Sequence, residues 1–329
     1  NVTVDLTPTA LAGPSAAATQ QSIEVGWAVR NQGTTVALPS WYDNLYLSTD
    51  TVRDDQDTVL TSASRSQELL AGASYAVTTT VTVPNVAAGT YYLLLRTDYN
   101  GTLYESDETN NERTVTITIN TPDLTPVSLA GPAAAATQER IEVGWAIRNQ
   151  GTGAAEPISN YLIGRWGDFL YLSTDTVWDD QDTYLTGAWR FLPLTAGNTY
   201  AVTTTAIMPR VPAGAYYLLL RADRNGKVYE SNYTNNERTL TITVSTPDLT
   251  PVSLAGPASA ATQEQIEVGW VVRNQGTGVA QPTWDDYLYL STDTVRDDQD
   301  TVLTSAWRGL PLAANSTYAV TTTVTMPNM

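Results

Sequence analysis

The chain has 329 residues and a net charge of −17, from 34 Asp and Glu against 17 Lys and Arg, with no histidine and no cysteine. So acidic a surface argues against nucleic acid, which needs clustered Lys and Arg, and against docking on anionic lipid. Hydrophobic content of 42% excludes a disordered chain, no stretch reaches the ~18 apolar residues that span a bilayer, and no disulfide can hold the fold.

The first legible element is the start signal Asp5-Leu6-Thr7-Pro8, which returns at Asp123-Leu124-Thr125-Pro126 and at Asp248-Leu249-Thr250-Pro251. Repeats this far apart are whole domains, since solenoid and propeller repeats recur every ~20–50 residues. Next comes Ile23 to Arg30, with large apolar residues at every second position, as one buried face of a strand requires. The pattern repeats as Ile141, Val143, Trp145, Ile147 and as Ile266, Val268, Trp270, Val272. Asn31-Gln32-Gly33 then supplies turn residues. Further strands are expected at Asp43 to Ser48, Ser74 to Val83, Thr90 to Asp98 and Arg113 to Ile119, with abundant Thr on their exposed faces. No window carries a helical stripe.

Six to eight short strands per unit, punctuated by turns, predict an all-β chain of tandem two-sheet antiparallel β-sandwich domains. The expected boundaries are 1–120, 121–245 (with a seven-residue insertion near 159–165) and 246–329. Met329 aligns with Val86 of the first unit, so the third sandwich is expected to be C-terminally incomplete: a fragment of a longer array, or a domain completed by a neighbouring chain. The units are joined through Asn120-Thr121-Pro122 and Ser245-Thr246-Pro247. Short proline-containing connections restrict orientation, which predicts a semi-rigid rod.

The sharpest chemical motif follows the second predicted strand: Asp50, Asp54, Asp55 and Asp57, repeated as Asp175, Asp179, Asp180, Asp182 and as Asp293, Asp297, Asp298, Asp300. Like charges this close repel, at about 3 kcal/mol per pair for ~5 Å and an effective dielectric near 20. Oxygen-rich ligands of this kind suit Ca²⁺, although the spacing and glycine of an EF-hand are absent. Asp43, Asp168 and Asp285, just upstream, are candidate further ligands. The alternative is a solvated turn whose Asp side chains cap backbone amides. A second cluster, Asp98, Asn100, Glu105, Asp107, Glu108 and Asn110, reads first as a hairpin with its loop, given Asn100-Gly101 and Asn225-Gly226.

Trp27, Trp145 and Trp270 alternate with core residues and are expected buried. Trp41, Trp166 and Trp284 stand at a strand entrance beside the acidic turn. Trp178, unique to unit 2, is expected exposed, which raises the question of a sugar platform. Without His or Cys there is no Ser-His-Asp triad, thiol nucleophile or histidine metal site. No Gly-x-Ser-x-Gly elbow or phosphate-cradling loop appears. No catalytic residue and no enzyme activity are therefore expected. Asn-x-Ser/Thr sequons at Asn1, Asn100, Asn232 and Asn315 fall at inequivalent repeat positions, with Asn100 and Asn232 on expected exposed loops.

Taken together, the unit resembles CARDB, the cell-adhesion-related domain of bacterial and archaeal surface proteins. The resemblance rests on Pro122-Asp123-Leu124, on Asn149-Gln150-Gly151-Thr152, and on Pro212-Ala213-Gly214-Ala215-Tyr216-Tyr217. It rests most specifically on the closing run Asp98-x-Asn100-x-x-x-x-Glu105-x-x-Glu108-x-Asn110-Asn111. Unit 2 departs from that run with Tyr233 in place of the second acidic residue. The resemblance implies an immunoglobulin-like sandwich without catalytic motifs, in an extracellular adhesive or structural protein. Expected partners are further repeats or copies of the same protein, and cell-surface glycans or proteins. Neither nucleic acid binding nor direct membrane insertion is expected. The expected location is the cell surface or its exterior, the chain starting at Asn1 as one whose leader has been removed. The rival readings are a non-catalytic spacer region of a secreted hydrolase and a carbohydrate-binding module.

Overall fold

Alternation of apolar and polar residues builds each unit, because successive strand side chains point to opposite faces. The computed structural model describes residues 3–156 and 165–328. Most of the inserted segment near 159–165, the sequon at Asn1 and the terminal Met329 lie outside the described residues.

Unit 1 has eight strands: β1 (Leu6–Ala12), β2 (Ala16–Ala18), β3 (Ser22–Asn31), β4 (Trp41–Ser48), β5 (Thr58–Arg65), β6 (Ser74–Thr82), β7 (Gly89–Arg96) and β8 (Glu112–Asn120). They form a three-stranded sheet, β1-β3-β6, and a five-stranded sheet, β2-β8-β7-β4-β5. All pairs are antiparallel except the short contact of β2 with β8. Ile23, Val25, Trp27 and Val29 from one sheet and Trp41, Leu45, Leu93, Leu95, Ile117 and Ile119 from the other close one buried cluster. The sequence reading found β3, β4, β6, β7 and β8 and left β1, β2 and β5 unnamed. β1 and β5 carry irregular registers around Pro8 and Leu45, which blur the alternation.

Unit 2 repeats this arrangement in β9 (Leu124–Ala130), β10 (Ala134–Ala136), β11 (Arg140–Asn149), β12 (Trp166–Ser173), β13 (Thr183–Arg190), β14 (Thr199–Ile207), β15 (Gly214–Arg221) and β16 (Glu237–Ser245). Unit 3 has β17 (Leu249–Ala255), β18 (Gln265–Asn274), β19 (Trp284–Leu290), β20 (Thr301–Arg308) and β21 (Thr317–Thr325), in sheets of three and two strands. Its alanine-rich segment 258–261 is not a strand; in units 1 and 2 that segment pairs with β8 and β16. Leu254 is 66% exposed where Leu11 is 7%. A cavity of about 250 Å³ lies between Leu254, Trp270, Val272 and Tyr287.

The connections between units contain no slack. β8 ends at Asn120 and β9 begins at Leu124. Within the three residues between them, the carbonyl of Thr121 accepts from Thr152 N (3.0 Å) and Gly153 N (3.0 Å). Pro122 O accepts from Ser231 N (2.9 Å) and Asp123 O from Gln150 N (2.8 Å). Asn149 is the buried staple behind this turn. Its amide donates to Gly153 O and Leu194 O (both 2.8 Å) and accepts from Asp123 N and Gly151 N (both 3.1 Å). Asn31 and Asn274 do the same in their units.

Candidate functional site

The acidic turns fold as local hydrogen-bonded loops. In unit 1, Asp50 Oδ1 accepts from Val52 N (2.7 Å), Asp54 Oδ1 from Gln56 N (2.8 Å), and Asp57 Oδ2 from Asp54 N (3.0 Å). Asp175, Asp179 and Asp182 repeat the pattern, as do Asp293, Asp297 and Asp300. These are Asx-type turns, in which a short carboxylate satisfies a backbone N–H two residues on. Asp55 and Asp298 point fully into solvent beside Arg53 (3.5 Å) and Arg296 (3.9 Å), and Asp180 is exposed. Asp175, Asp179 and Asp182 line one open depression with Thr174, Gln181 and Tyr216. Among the described residues, no three acidic side chains converge closely enough to hold one ion. The backbone bonds of Asp50, Asp54, Asp175 and Asp179 each engage one carboxylate oxygen and leave the other free.

The upstream carboxylates do not share one position. Asp43 and Asp168 are fully buried, at an inward position of β4 and β12, and they bridge the two sheets. Asp43 accepts from Trp27 Nε1 (3.1 Å) and Tyr75 OH (2.6 Å) of the facing sheet, and from Thr97 Oγ1 (2.6 Å). Arg65 lies 3.8 Å over the Tyr75 ring and roofs the cluster. In unit 3 the equivalent residue is Asp286, bound to Trp270 Nε1 (2.9 Å) and Tyr318 OH. Asp285 is exposed, because strand alternation turns it outward. Asp43 and Asp168 are therefore committed to the core and out of reach of the acidic turns, while Asp285 lies on the solvent face.

Burial raises the pKa of Asp43, against the lowering effect of its three donors. In unit 2 Ala222 stands where Thr97 stands in unit 1, so a hydroxyl donor is missing. Asp168 keeps Tyr200 OH and a long contact from Asp223 N (3.4 Å), and burial pushes its pKa up to about 6. The tyrosines respond in kind: burial and the adjacent carboxylate raise Tyr75 and Tyr200.

The second acidic cluster closes the sandwich. Glu105 Oε2 accepts from Leu6 N, Oε1 accepts from Asn111 Nδ2 (2.8 Å), and Asn110 Nδ2 donates to Asp5 (2.9 Å). Asp98, at φ +45°, holds the hairpin by accepting from Thr102 N (3.1 Å) and Leu103 N (2.9 Å). The closing run thus latches the last loop to the first strand. Unit 2 repeats the latch through Glu230, Leu124 N and Asn236. Tyr233 donates its hydroxyl toward Val228 O and accepts from Glu230 N (2.9 Å), where Glu108 accepts from Glu105 N in unit 1. Burial pushes Glu105 up to about 7, Glu230 to about 8 and Asp223 to about 6. Nothing in the sequence distinguished these buried carboxylates from solvated ones, since both share the same acidic run.

The tryptophans divide differently from expectation. Trp27 and Trp145 are buried, as is Trp270 in unit 3. Trp41 and Trp166 are also fully buried core residues. Trp178, expected exposed, is half-buried: Arg221 and Arg224 stack on it at 4.6 and 4.0 Å. In units 1 and 3 the charges are exchanged, with Arg53 over Tyr46 and Arg296 over Tyr289. The aromatic rings Trp178, Tyr171, Tyr184, Phe169 and Trp189 meet edge to face, at interplanar angles of 64 to 85°.

Three copies of the CARDB family model match, at residues 3–115, 121–240 and 246–329. The chain belongs to the CARDB family, a non-catalytic domain type, as a tandem array. Among solved structures it is similar to the CARDB domain of the PF1109 protein from Pyrococcus furiosus. The crystal structure of that domain, a complex with di-metal ions, is 21% identical, with a TM-score of 0.30 over 36% of this chain and 96% of that one. Its solution structure is 21% identical, with a TM-score of 0.29 over 36% and 97%. Red sea bream transglutaminase matches at 11% identity and a TM-score of 0.25, over 74% of this chain and 31% of that one. No curated protein matches the chain.

Proposed function

We propose that this is an extracellular structural or adhesive protein of a prokaryotic cell surface, whose tandem sandwiches form a semi-rigid stalk or filament. The observation that carries the reading is the junction. Two complete family-matched sandwiches are joined by three residues whose carbonyls are all hydrogen-bonded within the second sandwich. Such a chain suits reach and spacing. Its carboxylates support this use and not chemistry: Asp43, Asp168 and Asp286 crosslink sheets, Glu105 and Glu230 latch the first strand, and the same arrangement recurs in each unit where its partners are described. We assign no enzymatic activity. Immunogold labelling of intact cells with an antibody to this chain tests the location. Labels outside the envelope are expected, and labels confined to the cytoplasm would overturn the reading.

Calcium binding belongs to the same proposal as a separate limb. It rests on the four carboxylates repeated in each acidic turn, and in unit 2 on the depression shared by Asp175, Asp179 and Asp182. Each of those three residues already spends one oxygen on a backbone N–H. These three side chains do not converge in the structure, so an ion would have to draw their remaining oxygens together, with Thr174 and Gln181 beside them. Partners of the assembled stalk are further copies of this protein, with surface glycans or proteins at its binding end.

A further inference from the structure

The turn between β2 and β3 carries a feature that its own unit does not require. Gln20 has a left-handed backbone, φ +66°, and the equivalent Gln138 and Gln263 both have φ +65°. Glycine or asparagine adopts this conformation at least strain. At another left-handed turn the repeats do use them: Gly72, Gly197 and Asn315 occupy one position, with φ from +62° to +79°. Keeping glutamine in all three copies of a strained position points to a use for its side chain.

In unit 1 that use is visible. The Gln20 amide reaches across the junction into unit 2, where Nε2 donates to Lys227 O (3.2 Å) and Oε1 accepts from Tyr229 N (3.3 Å). Residues 227 and 229 present their backbone groups on one side, so a side-chain amide pairs with them as a neighbouring strand would. The contact reads backbone and not side chains. The turn behind it is held rigid: Thr19 N donates to Asn120 O (2.9 Å), Gln20 N to Val83 O (3.0 Å), and Thr19 Oγ1 to Pro84 O (3.1 Å). Tyr229 is half-buried at this contact, whereas Tyr104, its counterpart in unit 1, is 92% exposed.

We infer that Gln20 is a backbone clamp on residues 227–229, and that it makes the first junction a docked joint of fixed angle. The covalent connection alone leaves a pivot. Asn120 O is bonded to unit 1 and Thr121 O to unit 2, so rotation is confined to the bonds between them. The clamp supplies a second attachment away from that pivot, and two attachments define an angle where one does not. In unit 2 the equivalent glutamine has a partner within its own unit. Turned so that its oxygen faces Arg210, the Gln138 amide accepts from Arg210 Nε and Nη2, both at 3.0 Å. Asn85 stands at the equivalent place in unit 1, leaving Gln20 free for its neighbour. The inference gives the stalk reading its mechanical detail and rests on that reading for its purpose; the joint itself exists or fails independently of where the protein acts.

The absence of native cysteine permits a direct test on the full chain. Nitroxides on Ser66→Cys and Ala196→Cys, both exposed positions, report the distance between units 1 and 2 by electron–electron dipolar spectroscopy. The parent should give one narrow distance distribution. Gln20→Gly removes the clamp while relieving the backbone, so the distribution should at least double in width with no loss of thermal midpoint. Asn85→Arg should widen it likewise, by recapturing the Gln20 amide within unit 1. A parent distribution already broad, or a Gln20→Gly distribution as narrow as the parent, would overturn the inference. Label outside the cell with a broad distribution would retain the extracellular location and remove the clamp.

Discussion

At the scale of single residues, burial of carboxylates has a consequence for pH. A carboxyl whose folded pKa lies above its unfolded value keeps a proton that the unfolded chain has released, so folding gains from acid. For Asp168 and Asp223, at about 6 against 3.8, the contribution is full below about pH 4 and is lost as pH rises through 6. For Glu230, at about 8 against 4.5, and Glu105, at about 7, the loss continues through neutrality. The thermal midpoint of unit 2 should therefore be higher at pH 5 than at pH 8. Glu230→Gln, which leaves nothing to titrate at the latch, should reduce that difference. Calorimetry across this range decides it; a midpoint that rises toward pH 8 would mean these groups are solvated. Glycines matter at one kind of place. A Cβ on Gly153 would lie 2.7 Å from the carbonyl of Asn120, and one on Gly278 would lie 2.9 Å from that of Ser245, so the backbone of the preceding unit passes where a side chain would be.

At the scale of elements, the period-two alternation around Trp27, Trp145 and Trp270 was enough to place the central strand of each small sheet. The abundant Thr of β6, β14 and β21 marked their outer faces. What alternation could not supply was the direction of single polar residues. Asp285 and Asp286 are adjacent in sequence; the Trp-x-Asp spacing shared with Trp41-Asp43 and Trp166-Asp168 marks Asp286 as their counterpart, and its bond to Trp270 shows it turned inward. Trp178 read as exposed because its arginine partners, Arg221 and Arg224, are more than forty residues away. The junction glycines carried a readable signal: units 2 and 3 have Gly153 and Gly278 where unit 1 has Thr35. The acidic turns remain the element whose chemistry is decided by experiment. Calcium at millimolar concentration should raise the thermal midpoint if the turns bind it, since an ion at 100 times its Kd adds about 2.7 kcal/mol. Asp50→Ala with Asp54→Ala should then abolish the unit 1 share. An unchanged midpoint in calcium and in chelator would leave the turns as capped loops alone.

At the scale of the whole molecule, what distinguishes the chain from loosely strung domains is that its connections are themselves structured. The carbonyls of Thr121, Pro122 and Asp123 are all engaged, and Thr246 and Asp248 repeat the pattern toward unit 3 through Gly278 N (2.9 Å) and Gln275 N (2.7 Å). Loop closure and linker flexibility, which dominate ordinary multidomain chains, have almost no residues in which to act here. Small-angle X-ray scattering of the full chain in solution tests this most directly. One fixed arrangement of units should fit the profile, with a single maximum dimension that does not change with salt. Scattering that requires a broad ensemble of inter-unit angles would show the units to be freely jointed, and the semi-rigid stalk would have to be abandoned.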